Sequence, residues 1–538
     1  MNNRKKKIIY AAVAALVACS VAVSCSDPSG EHYRVSEDAA GRVTLWELIS
    51  QQPELSTFAG WLKQVDYDVI LSGEQAYTVW APENDALAGI SPNDTEAVLR
   101  LVTNHIARYT NPTSTTETHA QILYMESAKR LLFSRNGDNY AMGGAELAQK
   151  NRTAKNGILH TLKQPIAFEP SIWQYMEEAG YDSIRSYLYS FNKREFIRSV
   201  SKQIDYNDEG MIVYDSVFLN QNVLWYVYRG AKGIGWLNNE DSLYTMILPN
   251  NKAWKEVYDR TYDYFKPDPE VDNPDSMQVA NTRYSIVQDL VFRGAVNPAS
   301  YNAGDTLFST RNAPFLNPTH LFSGLTSLPV SNGWVYPASR LNYELHESAI
   351  KPVLVETENA LGRWHNSAED FSTIYSYFAR DIPNVSKNAY LFVRATYTGA
   401  APSVSFELPD VLAAEYDIYC VCLAQSYVET IRDTTQWYVT RLRFEIQQWD
   451  RLGKKEENKS WRTIATFTEP ASSPKYVTQR EGISKILVTE KFKFPFANIN
   501  EPDNVFRLKV FSALDRSDPP ALFKNEMRID YILLEASR

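Results

Sequence analysis

The sequence is poor in the residues and patterns that most enzyme chemistry needs. Four cysteines and seven histidines are spread over 538 residues. No histidine stands at a metal-ligand spacing from a second candidate ligand. There is no Gly-x-Ser-x-Gly elbow, no phosphate-binding Walker loop and no His-Glu-x-x-His helix. Positive charge is not in excess either: 55 Lys and Arg against 64 Asp and Glu leave a net charge of -9. That balance removes the basic footprint of a nucleic-acid binder and any electrostatic attraction to an acidic membrane. Beyond the first two dozen residues no run is apolar enough to span a bilayer. We therefore expect no catalytic residues, no metal, no cofactor and no nucleic-acid partner.

What is present is globular. Hydrophobic residues make up 44% and aromatics 13%, well outside the disordered range. The length exceeds what one core serves and implies about three domains. The amino terminus has its own character. Arg4, Lys5, Lys6 and Lys7 precede the uncharged stretch Ile8 to Ser24, the layout of an export signal. That stretch is shorter than the roughly 20 residues of a spanning helix. It ends in Ala22-Val23-Ser24-Cys25, followed by the polar Ser26-Asp27-Pro28-Ser29-Gly30. Small residues before a cysteine resemble the bacterial lipobox, which implies cleavage before Cys25 and lipid on its sulfur. Leu16-Val17-Ala18-Cys19 offers a second lipobox, but cutting there leaves the apolar Ser20 to Val23 on the mature chain. An ordinary secretory signal or a retained anchor is the remaining alternative. The expectation is a signal at 1–24, a lipid on Cys25 and a polar tether at 25–42.

Val43 to Val65 carries helical spacing, interrupted at Pro53. Tyr77 to Ala81 reads as a strand, Pro82 as a turn, and Asn84 or Asp85 as the cap of a following helix. Asn156-Gly157 then forms a tight turn into the strand Ile158 to Leu162. The same order recurs. Ile184, Leu188, Phe191 and Phe196 mark helices; Tyr244 to Leu248, Pro249 and Asn250-Asn251 repeat the strand and turn; Asn332-Gly333-Trp334-Val335-Tyr336 repeats the Asn-Gly strand. Matching landmarks at matching spacing imply a duplicated unit.

Thr78-Val79-Trp80-Ala81-Pro82-Glu83-Asn84-Asp85-Ala86 resembles the first signature of fasciclin domains, and Asn156-Gly157-Ile158-Leu159-His160 the second. Leu101 to Ile106 resembles the segment between them. The later copy is more diverged, with Phe292 near the position of His105. The resemblance implies a β-wedge edged by helices and a role in adhesion or binding. Animal members use a Tyr-His pair in integrin contact; Asn104 precedes His105 here, so that role does not carry over.

From about His346 the helical spacing stops. Tyr390 to Arg394, Val404 to Leu408 and Tyr416 to Leu423 read as strands, and Tyr438, Leu442, Phe444 and Ile446 alternate with Arg441, Arg443 and Glu445. Met527 to Leu534 is similar to the last strand of galactose-binding-like jelly rolls. The expected fold is thus α+β: fasciclin-like domains at 43–168 and 169–345, then an all-β jelly-roll-like sandwich at 346–538.

Few residues compete for a functional role. Cys420 and Cys422 lie in an apolar strand and read as core in place of a redox pair. His105 and His160 stand in apolar context and read as core histidines. Asp205-Tyr206-Asn207-Asp208-Glu209-Gly210 mimics the opening of a calcium loop, but Ser216 occupies the position that needs a bidentate Glu. Gly230 to Gly235 has the wrong order for a dinucleotide loop. Glu356 and Glu358 would share one face of a strand, with no third group to direct acid-base work. The tryptophans of the last domain are the best ligand-binding candidates: Trp437, placed on a strand face with Arg441 and Arg443, and Trp449 and Trp461, flanking the charged stretch Asp450 to Glu457. Exposed, they would stack on a sugar or anchor a protein; buried, they would cap the sandwich. Lipoproteins of this build resemble accessory subunits of SusC/SusD-type nutrient importers. The resemblance implies a non-enzymatic, lipid-anchored protein of the outer-membrane surface, partnered by a transporter, other lipoproteins, and a glycan or peptide ligand.

Overall fold

A computed structural model describes residues 43–90, 95–117, 119–199, 201–206, 211–215, 218–226, 232–429, 433–449, 460–499 and 505–537. The signal, the tether, Cys19 and Cys25 lie outside these residues. So do Asn207 to Gly210 and Ser216 of the calcium-like loop, Gly230 and Ala231 of the glycine-rich turn, and the charged stretch Asp450 to Glu457. The chain divides into two compact units.

Among the described residues, the first unit takes those within 43–175, Asn238–Leu243 and Pro329–Gly333. Helices Leu45–Ser50 and Ser56–Gln64 form where the spacing predicts them, split by the turn Pro53–Leu55. Thr44 and Glu47 close a capping box on the first. The apolar stripes Leu45 and Ile49, then Leu55, Phe58 and Leu62, are fully buried. They cover one side of a seven-stranded sheet whose second strand from one edge, Tyr77–Pro82, lies parallel to Gly157–Leu162 and antiparallel to Ile106–Arg108. Every residue of the two parallel strands is buried, as expected of a parallel pair covered on both faces. Four antiparallel strands between Gln121 and Ala154 complete the sheet.

Asn84 caps a helix other than the one its sequence position indicates. Its Oδ1 accepts the Thr57 N–H at 3.0 Å, at the start of Ser56–Gln64, while its own turn Asn84–Leu87 has no side-chain cap. Asn156 acts similarly across sequence. Its Oδ1 accepts the Leu45 N–H at 2.8 Å and its Nδ2 donates to the Leu71 and Gly73 carbonyls. Asn332 repeats the first of these bonds, accepting the Ile172 N–H at 2.8 Å.

A buried ion pair ties the shorter segments to the rest of this unit. Lys129 Nζ, 3% exposed, contacts Glu240 Oε1 at 2.7 Å and donates to Gln174 Oε1 and Ser331 Oγ. Burial pulls the ammonium down from its ordinary value, against the hydrogen bond and charge of Glu240, which raise it. Removing one partner strands the other charge in a low dielectric. Lys129→Ala should therefore cost about 3–5 kcal/mol, whereas Lys129→Met with Glu240→Gln should cost far less. Thermal melts of the two variants check this, and equal losses would contradict it.

The second unit contains Met176–Leu237, Tyr244–Leu328 and Trp334–Arg538. Strand Tyr244–Pro249 lies between Val291–Arg293 and Gly333–Ala338, the strand order seen around Tyr77–Pro82. The hydrogen bonds repeat as well. Thr78 Oγ1 donates to the Tyr109 carbonyl and accepts from Asn111 N–H; Thr245 Oγ1 donates to Gly294 and accepts from Val296. Asn251 accepts the Ser183 N–H as Asn84 accepts that of Thr57. Trp80 N–H bonds the His105 carbonyl, and Ile247 N–H that of Leu290. The residue in the position of His105 is thus Leu290; Phe292 matches Ala107. Phe196 is also not helical: the helix Asp182–Tyr189 ends and Asn192–Phe196 pairs as a strand with Phe218–Asn222.

Beyond residue 350 the unit is built of two antiparallel sheets. A six-stranded sheet runs Ser372–Phe378, Ala389–Ala395, Glu526–Ala536, Glu415–Leu423, Ile483–Lys493, with Val353–Glu356 also on Glu526–Ala536. A five-stranded sheet runs Arg363–Trp364, Ser403–Glu407, Phe506–Ser512, Leu442–Trp449, Trp461–Phe467. One apolar cluster takes Leu391, Val393, Ile418 and Ile529 from the first sheet and Phe406, Phe444, Ile446 and Leu508 from the second. Strand Leu442–Trp449 begins later than the alternation from Tyr438 indicates. The backbone of residues 439–441 is engaged elsewhere, by Leu522, Thr478 and Ala513.

Candidate functional site

The tryptophans separate into a pair and a single residue. Trp449 and Trp461 stand opposite each other on adjacent strands, ring centroids 5.4 Å apart and edge to face. Both are half-buried. Trp449 packs on the apolar cluster, and the Arg507 guanidinium lies 4.2 Å from the Trp461 ring. Trp437 is not on a strand: it follows the turn Thr434–Gln436 and is half-buried, its carbonyl near Arg480 Nη2. Nor does Arg441 line an outer face. It is buried and forks onto both Asp518 oxygens at 2.8 and 3.0 Å. A bidentate pair of this kind fixes a loop; it leaves no free cation for a ligand.

His105 and His160, in the first unit, are buried and have both ring nitrogens engaged. His105 Nδ1 bonds the Leu101 carbonyl at 2.8 Å, and its Nε2 accepts the Ile166 N–H at 2.9 Å. His160 Nε2 bonds the Asn111 carbonyl at 3.1 Å, and its Nδ1 accepts the Asn151 N–H. His160 also stacks on Trp80 at 5.5 Å. One nitrogen of each ring therefore donates and the other accepts, which is the neutral imidazole. Burial lowers both to a pKa of about 4. They are core groups, as the sequence reading holds. Cys420 and Cys422 are free and buried, with Sγ atoms 3.7 Å apart.

The carboxylates differ from expectation. Strand Val353–Glu356 ends at Glu356, so Glu358 lies beyond it. A third carboxylate, Asp530 from the last strand, joins them, and is fully buried. Asp530 accepts the Ser386 N–H at 3.1 Å, and Glu356 Oε1 accepts the Ser386 hydroxyl at 2.7 Å. Glu356 Oε2 and Glu358 Oε2 are buried without a hydrogen-bond partner among the described residues. Burial pushes Asp530 up to about 7, and the charges of Glu356 and Glu358 add to the rise. Glu358 is raised by burial and by Glu356. Among the described residues no group of three His, Cys, Asp or Glu is arranged to hold a metal ion. The cluster is therefore suited to holding a proton near neutral pH. Its sequence signal was a lone aspartate inside the apolar run Ile529 to Leu534.

The sign of the resulting pH effect follows from the raised pKa. Unfolded, Asp530 titrates near 3.8; folded, near 7. Its contribution is complete below about pH 3.8 and is lost as the pH rises through 7. Asp530→Asn, which keeps an acceptor for Ser386, should raise stability at pH 8 by roughly 2 kcal/mol and change little at pH 4. Denaturant melts at both pH values check this. A loss at pH 8 would show that the charge is compensated.

Comparison with known proteins identifies one region. Residues 53–167 match the fasciclin domain family. No curated protein matches the sequence. Among solved structures, a pair of such domains from the insect cell adhesion molecule fasciclin I aligns at a TM-score of 0.20 and 13% identity, over 55% of this chain and 98% of its own. A Paenibacillus xanthan lyase aligns at 0.19 and 11%, over 38% of this chain and 16% of its own. The K1 cleaved adhesin domain of Lys-gingipain from Porphyromonas gingivalis aligns at 0.18 and 11%, over 35% and 99%. Likenesses this weak carry no inference about fold or activity.

Proposed function

We propose that the chain is a non-enzymatic lipoprotein of the outer-membrane surface, anchored by acyl chains on Cys25, that serves as a binding and assembly subunit of a SusC/SusD-type nutrient importer. The observation that carries the reading is the fasciclin domain at 53–167, a type of domain found in adhesion and surface proteins. The repeated strand order and the repeated Thr, Asn and backbone bonds around Tyr244–Pro249 support a second, diverged fasciclin-like domain. The two sheets sharing one apolar cluster beyond residue 350 support a jelly-roll-like sandwich. Small residues before Cys25, with Ser26-Asp27 after it, support the lipid anchor and the importer. Among the described residues no helix is long and apolar enough to cross a membrane, so in this reading the acyl chains do the anchoring.

Co-purification tests it. A tagged chain solubilised in detergent should bring down a β-barrel transporter or a partner lipoprotein, and Cys25→Ala should lose both the membrane and the partner. Recovery of the tagged chain alone would count against the importer role. A second reading, a glycan-binding protein acting through the C-terminal region, is favoured by the exposed aromatic residues Tyr375, Tyr377 and Phe378 of strand Ser372–Phe378.

A further inference from the structure

Among the described residues, strand Ser372–Phe378 forms one edge of the six-stranded sheet and pairs within it only with Ala389–Ala395. Alternation sorts the side chains of the two strands. Ile374 packs against the apolar cluster and Leu391 and Val393 are fully buried. Tyr375, Tyr377, Phe392 and Arg394 therefore share the opposite, outer face. Tyr375 and Tyr377 are 38% and 46% exposed, with ring centroids 6.2 Å apart, and Tyr375 lies 6.4 Å from Phe392 across the strand pair. Arg394 holds its guanidinium 5.4 Å from the Tyr375 ring, with Nη2 3.3 Å from the Tyr375 hydroxyl.

The row continues past the strand. Phe371 is held at a φ of 50°, a conformation that a bulky residue adopts only when its surroundings impose it. Its exposed ring meets that of Tyr397, 59% exposed, at 6.0 Å. From Phe371 to Tyr377 the row is about 20 Å long at a strand's rise per residue.

We infer that this edge is a binding surface for an extended anionic polysaccharide, with the aromatic rings of Phe371, Tyr375, Tyr377 and Tyr397 against sugar rings and Arg394 against a carboxylate or sulfate. The inference rests on the glycan-binding reading given above. Two observations point to this ligand class. The aromatic rings succeed one another along the strand edge and carry tyrosine hydroxyls, which suits a chain of alternating apolar faces and hydroxyls. Arg394 is exposed in a chain of net charge -9 and has no ion-pair partner among the described residues. Glu526, opposite it in register, is engaged by Tyr438 and Arg528. An uncompensated arginine stacked on an exposed ring presents its remaining donors to an anion.

Affinity electrophoresis of the full-length, detergent-solubilised protein tests this, in gels containing polygalacturonate, chondroitin sulfate or the neutral glucan laminarin. At least one anionic polymer should retard the protein tenfold more strongly than laminarin, and added salt should weaken the effect. The two anionic gels distinguish a carboxylate from a sulfate ligand. Tyr375→Ala should weaken retardation at least tenfold. Arg394→Gln should abolish the preference for anionic polymers, and Arg394→Lys should restore part of it. Tyr397→Ala, outside the strand pair, should weaken binding several-fold without lowering the melting temperature. Retardation unchanged by Tyr375→Ala, Arg394→Gln and Tyr397→Ala would overturn this surface while leaving glycan binding intact. No retardation by any polymer would overturn both.

Discussion

Gly157→Ala should unfold the first unit or lower its melting temperature by about 10 °C or more, a loss of at least about 4 kcal/mol. Gly157 opens the strand that runs parallel to Tyr77–Pro82, in register with Tyr77. Its φ of 154° is one that side-chain-bearing residues rarely adopt, and a Cβ there would sit 2.0 Å from the Tyr77 carbonyl oxygen and 2.6 Å from Leu45 Cδ1. The nearer clash is with backbone inside a sheet, so no rotamer change relieves it. Moving Gly157 would also shift Asn156, whose side chain holds the Leu45 N–H and two carbonyls after Ile70. Gly144→Ala is the control: Gly144 has a φ of 81° and open space around its Cβ position. Only the backbone strain of about 1–2 kcal/mol remains there. Parent-like melting of Gly157→Ala by circular dichroism would show that the close approach is absent in solution.

Acid should destabilise the same unit well before its carboxylates are neutralised. His105 and His160 both titrate near 4 when folded, against about 6.5 for an ordinary imidazole. Burial is the main cause. Geometry reinforces it, because protonation would place a new N–H against the Ile166 N–H in one case and the Asn151 N–H in the other. A group whose folded pKa is lowered in this way favours unfolding as the pH falls. The stability is complete above about pH 7, declines below 6.5 and reaches its floor near 4. The separation of about 2.5 pH units corresponds to roughly 3 kcal/mol for each histidine. Two such losses approach the total stability of a small domain, about 5–15 kcal/mol. Melting temperatures measured from pH 8 to pH 4 should show the decline, and His160→Gln should flatten part of it. A profile that is level between pH 6.5 and 4.5 would mean that the rings are solvated in solution.

Much of this was legible one element at a time. The stripes Leu45 and Ile49, then Leu55, Phe58 and Leu62, were read as helix faces and are buried. The fasciclin signatures at Thr78 to Ala86 and Asn156 to His160 fall within the matched segment. The strands at 389–395, 403–407 and 415–423 lie where short apolar runs indicated, and 526–536 is a strand at the segment Met527 to Leu534. These readings succeeded because periodicity and turn residues are local signals. They failed where a residue's partner is distant in sequence. Asn84 caps a helix that begins 28 residues earlier, at Ser56. Phe196 continued an apolar pattern but pairs with Phe218. Trp437 and Arg441 looked like an outer face because nothing nearby revealed Asp518.

The sequence by itself determined which segments are apolar on one face, where the chain turns, and that fasciclin signatures stand in order within residues 53–167. Tertiary structure decided which charged and aromatic groups meet. It brought Asp530 to Glu356 and Glu358, buried Lys129 on Glu240, and set Arg394 beside Tyr375. Burial and pairing across long sequence separations set the cost or benefit of a charge, and neither is a property of the local pattern that made the strands readable.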